Sequence, residues 1–512
     1  MRGVWTVEQV RAAEQAVIDR VGEAVLMRRA AFGVAVRSAE LLREHTGGVI
    51  GRRVVLLVGA GNNGGDALWA GAFLRRRGAA VTAVLLAPQR AHAAGLAALR
   101  RRGGRVVHAD ADRARAAVGD ADGAHAADRA RAAVREADPA RVAVRNADLV
   151  IDGIVGLSAR GPLRPDAAEL VDAVGAAGAP IVAVDLPSGV DPDTGAVDGP
   201  AVTAAATVTF GALKPVHVLA PHRCGPVHTV DIGIGGALPE PGIRVLDAAD
   251  VAEVWPVPGP ADDKYTQGVA GVAAGSATYP GAAVLTTGAA VLATSGMVRY
   301  AGAAADPVRA RWPEVIATGS VSDAGWVQAW VVGPGLGTGS EGRDAVRHTL
   351  AAGVPVCVDA DAITLLATDP TLWDARDPDV PVVLTPHDRE FARIAGDVGA
   401  DRIAAARRAA AKLGVTVLLK GHATVVANPD GAVLVHPSSS SWPATAGSGD
   451  VLSGLVGALL AAGREPLIAA GAAVHVHELA AVLAARNAPI PASALLAAVS
   501  DAIRAVRLTS AR

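Results

Sequence analysis

Short apolar runs, nearly continuous in β-branched residues and separated by helix-like stretches, recur along the whole chain. They lie at 54–58, 81–86, 105–108, 149–151, 181–184, 206–210 and 227–230, and again at 269–273, 327–332, 354–358, 382–384 and 415–419. A strand with one wet face alternates polar and apolar residues; runs that do not alternate must be buried on both faces, and the helical spacers supply the cover. The pattern specifies α/β architecture with parallel sheets. A Pro/Gly-rich passage through Gly235, Pro239, Pro241, Pro256, Pro258 and Pro260 interrupts it and reads as a linker. A chain of 512 residues exceeds a single core. The expectation is therefore two domains, 1–235 and 263–512, joined by 236–262, with an amphipathic helical region at 7–44 and closing helices from Asp450 onward.

Charged residues make up 19% of the chain and the net charge is -2, which gives no reason to expect nucleic acid. Cys224 and Cys357 are isolated and in no CxxC pattern, arguing against a zinc site or disulfide framework and for a reducing compartment. Arg2, Glu8, Arg11, Glu14, Asp19 and Arg20 deny the first residues a signal-peptide core, so the cytoplasm is expected. Residues 265–298 carry no charge, but Gly268, Gly271, Gly275, Pro280 and Gly281 break them into a buried strand, a turn and a helix, not a membrane span. DRARAAV occurs at 112–118 and 128–134, a local duplication in a solvated helix. Of 48 basic residues only Lys214, Lys264, Lys412 and Lys420 are lysine. A lysine kept where arginine is so preferred marks a need for a compact or deprotonatable cation, though Lys412 reads as surface.

The first run leads straight into GAGNNGGDA at 59–67, where Gly59, Gly61 and Gly64 match GxGxxG between a strand and a helix. An ordinary NAD site also wants an acidic residue about 20 positions on, and none occurs from Ala67 to His108. Asn62 and Asn63 instead offer carbonyl ligands for a hard cation and donors for phosphate or carboxamide oxygens; a Gly/Asn turn needing positive φ is the structural alternative. Further loops follow other strand ends: DGIVGLSARGP at 152–162, VDLPSGVDPDTG at 184–195 and TFGALKP at 209–215. Asp185 facing Lys214 would make an acid/base pair.

These motifs, in this order, resemble the NAD(P)HX epimerase family, the YjeF N-terminal domain, over about the first 235 residues; Ala67 departs from its usual Gly. The resemblance implies a Rossmann-like doubly wound sheet. It implies a potassium ion at Asn63, Asp152 and Ser188. The hydrated nucleotide would meet Asn62, Asn63, Gly64, Gly65 and Asp66, then Gly156, Leu157, Ser158, Ala159, Arg160, Gly161 and Pro162, and Asp185. Asp185 and Lys214 would be the catalytic pair.

In the second half GVAGVAAGSATYPGA (268–282) and GPGLGTG (333–339) follow strands, and neither is a Walker A loop. TPHDREF (385–391) places His387, Asp388 and Glu390 at a strand end, either a metal cluster or, preferably, a polar wall of a substrate cleft. LLKGHATVVA (418–427) puts Lys420 at another strand end before a hairpin-like turn. WPATAGSGDVLSG (442–454) puts Gly447, Ser448, Gly449 and Asp450 at the start of an apolar helix, where backbone N–H groups form an anion hole and Asp450 can take a proton from an attacking hydroxyl. A helix-capping Asp is the alternative. His475 and His477 point to different helix faces and read as packing residues.

GPGLG, TPH, LKG and AGSGD together resemble the ADP-dependent NAD(P)HX dehydratase family, a branch of the ribokinase-like fold, over about 250–510; Trp442 departs from its usual Gly or Asn. The resemblance implies that Ala282, Gly335, His387 and Asp450 meet the hydrate, and that Lys420, Gly421, His422, Ala423, Thr424 and Gly449 hold the nucleotide. ADP with Mg2+ would phosphorylate the C6 hydroxyl, and elimination of phosphate would restore NAD(P)H. The implied partners are NADHX, NADPHX and ADP, with neither nucleic acid nor membrane, in a homo-oligomer. Two rivals stay open: a true small-molecule kinase in the second half, and a nucleotide-binding or scaffolding module in the first.

Overall fold

A computed structural model describes residues 1–109, 138–157, 161–294, 296–438 and 440–510. The chain divides into two compact units, Val4–Glu240 and Pro241–Arg512, with Met1–Gly3 belonging to the second. Both DRARAAV repeats lie outside the described residues.

The first unit is built on a parallel sheet of β2 (Arg53–Val58), β3 (Ala80–Leu85), β4 (Arg105–His108), β5 (Leu149–Gly153), β6 (Ile181–Val184), β7 (Ala206–Phe210) and β8 (Val227–Val230). Their order is β4-β3-β2-β5-β6-β7-β8. Along β2, Val54, Leu56 and Val58 enter one core with the helices Val7–Val21, Glu23–Thr46 and Asn62–Arg76, while Val55 and Leu57 enter another with Pro139–Arg145 and Pro165–Ala177. Both faces are covered, as the unbroken apolar runs require. The amphipathic region at 7–44 is two helices, separated at Gly22 in a positive-φ conformation.

The order decides where the site must lie. The chain moves outward from β2 to β3 and β4, then returns to place β5 on the other side of β2, so the loops after β2 and β5 diverge and open a crevice. Gly59 begins the first loop, and a Cβ there would sit 1.7 Å from the Ile154 carbonyl oxygen. Only glycine lets the two loops approach so closely.

The second unit repeats this plan. β10 (Val269–Ala273), β11 (Met297–Ala301), β12 (Ile316–Thr318), β13 (Ala329–Val332), β14 (Val356–Val358), β15 (Val382–Leu384) and β16 (Thr416–Leu419) are parallel, ordered β16-β15-β14-β13-β10-β11-β12. Its crevice falls between β10 and β13. On its β13 side Gly333 has φ 126, and a Cβ would lie 1.8 Å from the carbonyl oxygen of Asp359, which follows β14.

The sheet continues past β16 through antiparallel β17 (Ala423–Ala427) and β18 (Val433–Pro437) to β9 (Ile243–Val245) and β1 (Arg2–Val4). The passage 236–262, expected as a linker, contributes β9 and the helix Ala248–Val254 to this unit, because Ile243, Val245 and Val251 carry enough apolar surface to be buried. β1, β9, β11, β12, β17 and β18 are absent from the expected strands; each is at most five residues long, and Arg299 and Arg244 break the apolar runs of β11 and β9.

The uncharged stretch at 265–298 forms β10 and the helix Pro280–Ala293. A different helix, Pro466–Ala485, is long and apolar enough to cross a membrane, yet 61% of its apolar window is buried inside this unit.

Candidate active sites

In the first unit a cavity of about 780 Å3 opens over the crevice, and Asn62, Asn63, Asp66, Gly156, Leu157, Gly161, Pro162 and Asp185 line it. Ser158, Ala159 and Arg160 lie outside the described residues. Asn62 donates to Glu23 Oε1 at 2.9 Å. Asn63 donates to the carbonyls of Val155 at 3.0 Å and Val184 at 2.6 Å, tying the loops after β2, β5 and β6 together. Gly64 sits where a Cβ would meet the Gly59 carbonyl oxygen at 2.4 Å, and Gly65 packs on Met27 and His92. Asp66 is buried with Oδ1 unpartnered, and burial, aided by Asp185, pushes its carboxyl well above the usual range.

Asp185 follows β6 in a left-handed conformation, φ 68, the kind of backbone strain that active sites tolerate. Lys214 Nζ lies 2.5 Å from Asp185 Oδ1 and 2.9 Å from Thr209 Oγ1, and Thr209 donates to the same carboxylate oxygen at 3.0 Å. His217 Nδ1 accepts from the Lys214 backbone N–H at 2.9 Å, leaving Nε2–H to donate to the Asp185 carbonyl at 2.8 Å. Burial, then Lys214, holds His217 down at about 4, so the ring is neutral as this pattern requires. Asp185 reaches the cavity; Lys214 is completely buried behind it.

Asp152 is fully buried. It accepts from Ser188 N at 2.9 Å, Ser188 Oγ at 2.7 Å and Ile154 N at 3.2 Å, yet burial still pushes its carboxyl up to about 6. Among the described residues no lysine or arginine is bonded to it.

In the second unit the loops leave the C-terminal ends of adjacent strands. Gly275 N donates to the Pro334 carbonyl at 2.7 Å, joining the loops after β10 and β13, and Gly335, φ 63, sits against Ala282. His387 caps the helix Asp388–Ala395 through Nδ1 and its side chain is half exposed. Asp388 turns away to Arg402, at 2.9 Å, and among the described residues no group of three His, Cys, Asp or Glu could hold a metal ion.

Lys420 follows β16 at the turn into β17. Its Nζ is 2.8 Å from Asp359 Oδ1 and 3.8 Å from Glu390 Oε2. Gly421 packs on Arg402, Ala423 opens β17, and Thr424 Oγ1 reaches the Gly421 carbonyl at 3.5 Å. A Cβ on Gly449 would lie 3.5 Å from Lys420 Nζ, which joins this turn to the first turn of the helix Ser448–Ala461. Asp450 makes no capping hydrogen bond; burial, then Asp359, pushes its carboxyl up to about 7. His477 Nε2 bonds the Ser448 carbonyl at 2.9 Å and is buried, and His475 packs edge-on to His436 with ring centroids 5.4 Å apart, so both are structural.

Sequence reasoning missed Asp359 and Ser453, whose Oγ donates to Asp359 Oδ2 at 2.5 Å; Glu390, singled out in TPHDREF, comes within 3.8 Å of Lys420 Nζ. Asp359 was findable, since it follows a strand as Asp185 does; Ala360 beside it is strained at φ 50. Glu14, Thr209 and His217 were also missed, and only tertiary contact marks them. Of the four lysines, Lys264 and Lys412 are exposed, whereas Lys214 and Lys420 each pair with an aspartate at a strand end.

The NAD(P)H-hydrate dehydratase family matches residues 270–504, and the YjeF-related protein N-terminus matches 23–216. The chain is 52% identical over 512 residues to the bifunctional NAD(P)H-hydrate repair enzyme Nnr of Mycobacterium leprae (strain TN), covering 99% of this chain and 100% of that one. It is 31% identical to the enzyme of that name from Escherichia coli (strain K12), covering 94% and 90%. Among solved structures, the ADP/ATP-dependent NAD(P)H-hydrate dehydratase from Bacillus subtilis, co-crystallized with ATP/Mg2+, is 28% identical with TM-score 0.47, covering 51% of this chain and 98% of that one. With both halves matched in order and the relatives aligned along nearly their full length, the chain belongs to the family of bifunctional NAD(P)H-hydrate repair enzymes.

Proposed function

We propose that the first unit interconverts the R and S epimers of NADHX and NADPHX, and that the second dehydrates the S epimer to NAD(P)H at the expense of ADP. Asp450 carries this reading. A carboxyl with a value near 7, on the first turn of a helix whose N–H groups face outward, suits a general base beside a phosphoryl site.

Hydroxide is a poor leaving group. Asp450 takes the proton of the C6 hydroxyl as its oxygen attacks the terminal phosphorus of ADP, releasing AMP. Loss of phosphate from C6 with a proton from C5 then restores the C5–C6 double bond. Lys420 and the N–H groups around Gly449 stabilise phosphoryl charge. Ala282, Gly335 and His387 line the hydrate side, and 420–424 the nucleotide side. Mg2+ would arrive with ADP, held chiefly by the substrate phosphates, while Asp359 and Glu390 pair with Lys420.

In the first unit the hydrate contacts 62–66 and 156–162, and Asp185 exchanges a proton at the C6 oxygen. Lys214 and Thr209 hold Asp185 in place. Asn63, Asp152 and Ser188 fit a potassium ion, because a fully buried carboxylate among oxygen donors gains from a monovalent positive charge. Two buried, unpaired cysteines support a cytoplasmic setting, and a homo-oligomer is the assembly to test by solution mass.

The test supplies each purified epimer separately, with ADP, ATP or no nucleotide, and follows nicotinamide absorbance. Both epimers should recover with ADP, the S epimer without lag. A stable phosphorylated product with no recovery of absorbance would instead indicate a small-molecule kinase.

A further inference from the structure

Inverting a carbinol carbon through departure and return of water requires two proton carriers. One protonates the leaving hydroxyl; the other deprotonates the water that adds to the opposite face. Asp185 is one group at the cavity wall. Lys214 cannot be the other, because it is fully buried and its ammonium is already bound to Asp185 and Thr209.

The cavity wall also carries Asp66, Glu23 and Asp166, and it offers Glu14, which like Asp185 lies within the field of Lys214. It lies on the helix Val7–Val21, between Val10 and Val17 on the face that otherwise buries Val7, Val10, Ala13 and Val17 against the core. A carboxylate on an apolar stripe is costly unless charge compensates it, and Glu14 lines the cavity with Arg11 and Asp185 and feels the charge of Lys214. The helix is fixed to the loop that carries Asp185: Val7 N donates to Asp193 Oδ1 at 2.9 Å, and Thr6 and Gln9 form a capping box. Glu14 and Asp185 thus enter one cavity from different elements held in register. Burial, opposed by Lys214 and reinforced by Asp185, raises the Glu14 carboxyl above its ordinary value, so it keeps a proton closer to neutrality.

We propose that Glu14 is the second proton carrier of the first unit, protonating the departing C6 hydroxyl while Asp185 receives a proton from the water that adds to the other face. The inference rests on the epimerase reading above. The C6–O bond breaks with the electron pair leaving on oxygen; the proton from Glu14 turns that oxygen into water, and the lone pair of the ring nitrogen forms a C=N bond to C6. Water then adds to C6, that bond's π pair returns to nitrogen, and Asp185 takes the proton. The site ends with Glu14 ionised and Asp185 protonated, and the reverse turnover or exchange with solvent resets it.

The experiment follows R-to-S interconversion of NADHX by chromatography without ADP, in the full-length chain. Glu14→Gln should lower kcat by about 10²–10⁴, with KM changed by less than about threefold. Glu14→Ala should regain rate when formate or acetate is added, a rescue that a structural role does not give. Dehydration of S-NADHX with ADP should stay at the wild-type rate. If Glu14→Gln disturbs folding, Glu14→Asp decides: a folded variant with lowered kcat and unchanged KM supports the proposal, and a wild-type rate overturns it. Wild-type interconversion by Glu14→Gln while Asp185→Asn is slow overturns the proposal alone. Wild-type interconversion by both variants overturns the epimerase reading itself.

Discussion

Lys214 Nζ lies 2.5 Å from Asp185 Oδ1, and the lysine is sealed behind the aspartate it holds. The pair is a carboxylate with a built-in counter-charge, and only the carboxylate meets the cavity. Lys214→Met should leave Asp185 as an uncompensated buried charge, destabilising the first unit by about 3–5 kcal/mol. Epimerisation should slow while S-NADHX dehydration continues. Denaturant melts with the two activities assayed separately check this, and equal loss of both activities contradicts it.

Asp450 supplies a pH signature. Its carboxyl is raised to about 7 by burial and by Asp359, and the ionised form does the work, so the dehydration rate should climb as pH rises through that value. Asp450→Asn should abolish repair of both epimers while R and S still interconvert. A rate that is flat from pH 6 to 8 would remove Asp450 from the base role.

Asp152 makes the potassium reading measurable without turnover. An ion that binds only the folded state stabilises it by about 2.7 kcal/mol at a hundred times its Kd. Potassium chloride should raise the melting temperature of the first unit more than lithium chloride does. Protonation removes the ligand charge, so the effect should fade as pH drops through about 6, and Asp152→Asn should lack it. Equal melting in both salts would remove the ion from this site.

Gly333 tests the close approach of the loops after β13 and β14. A Cβ would meet backbone 1.8 Å away, at a φ that side chains rarely adopt. Gly333→Ala should cost about 1–3 kcal/mol or more and impair dehydration, leaving epimerisation intact. A wild-type melt and rate would show that the loops after β13 and β14 can separate freely.

The residues themselves determined the two α/β units, most of the central strands and the loops at their ends, because burial on both faces of a parallel strand leaves a continuous apolar run in the sequence. The scarcity of lysine marked Lys214, Lys264 and Lys420 alike, and the motifs TFGALKP and LLKGHATVVA set Lys214 and Lys420 at strand ends. What they could not carry was anything set by approach across the fold. That 236–262 is built into a domain, that Met1–Gly3 joins the second unit and that Asp359 pairs with Lys420 61 residues away all depend on which strands become neighbours. The same holds for the division of labour around Asp185. Sequence placed an acid and a lysine near one another, but burial, which no local pattern records, put the lysine behind the wall and a helical glutamate at the cavity.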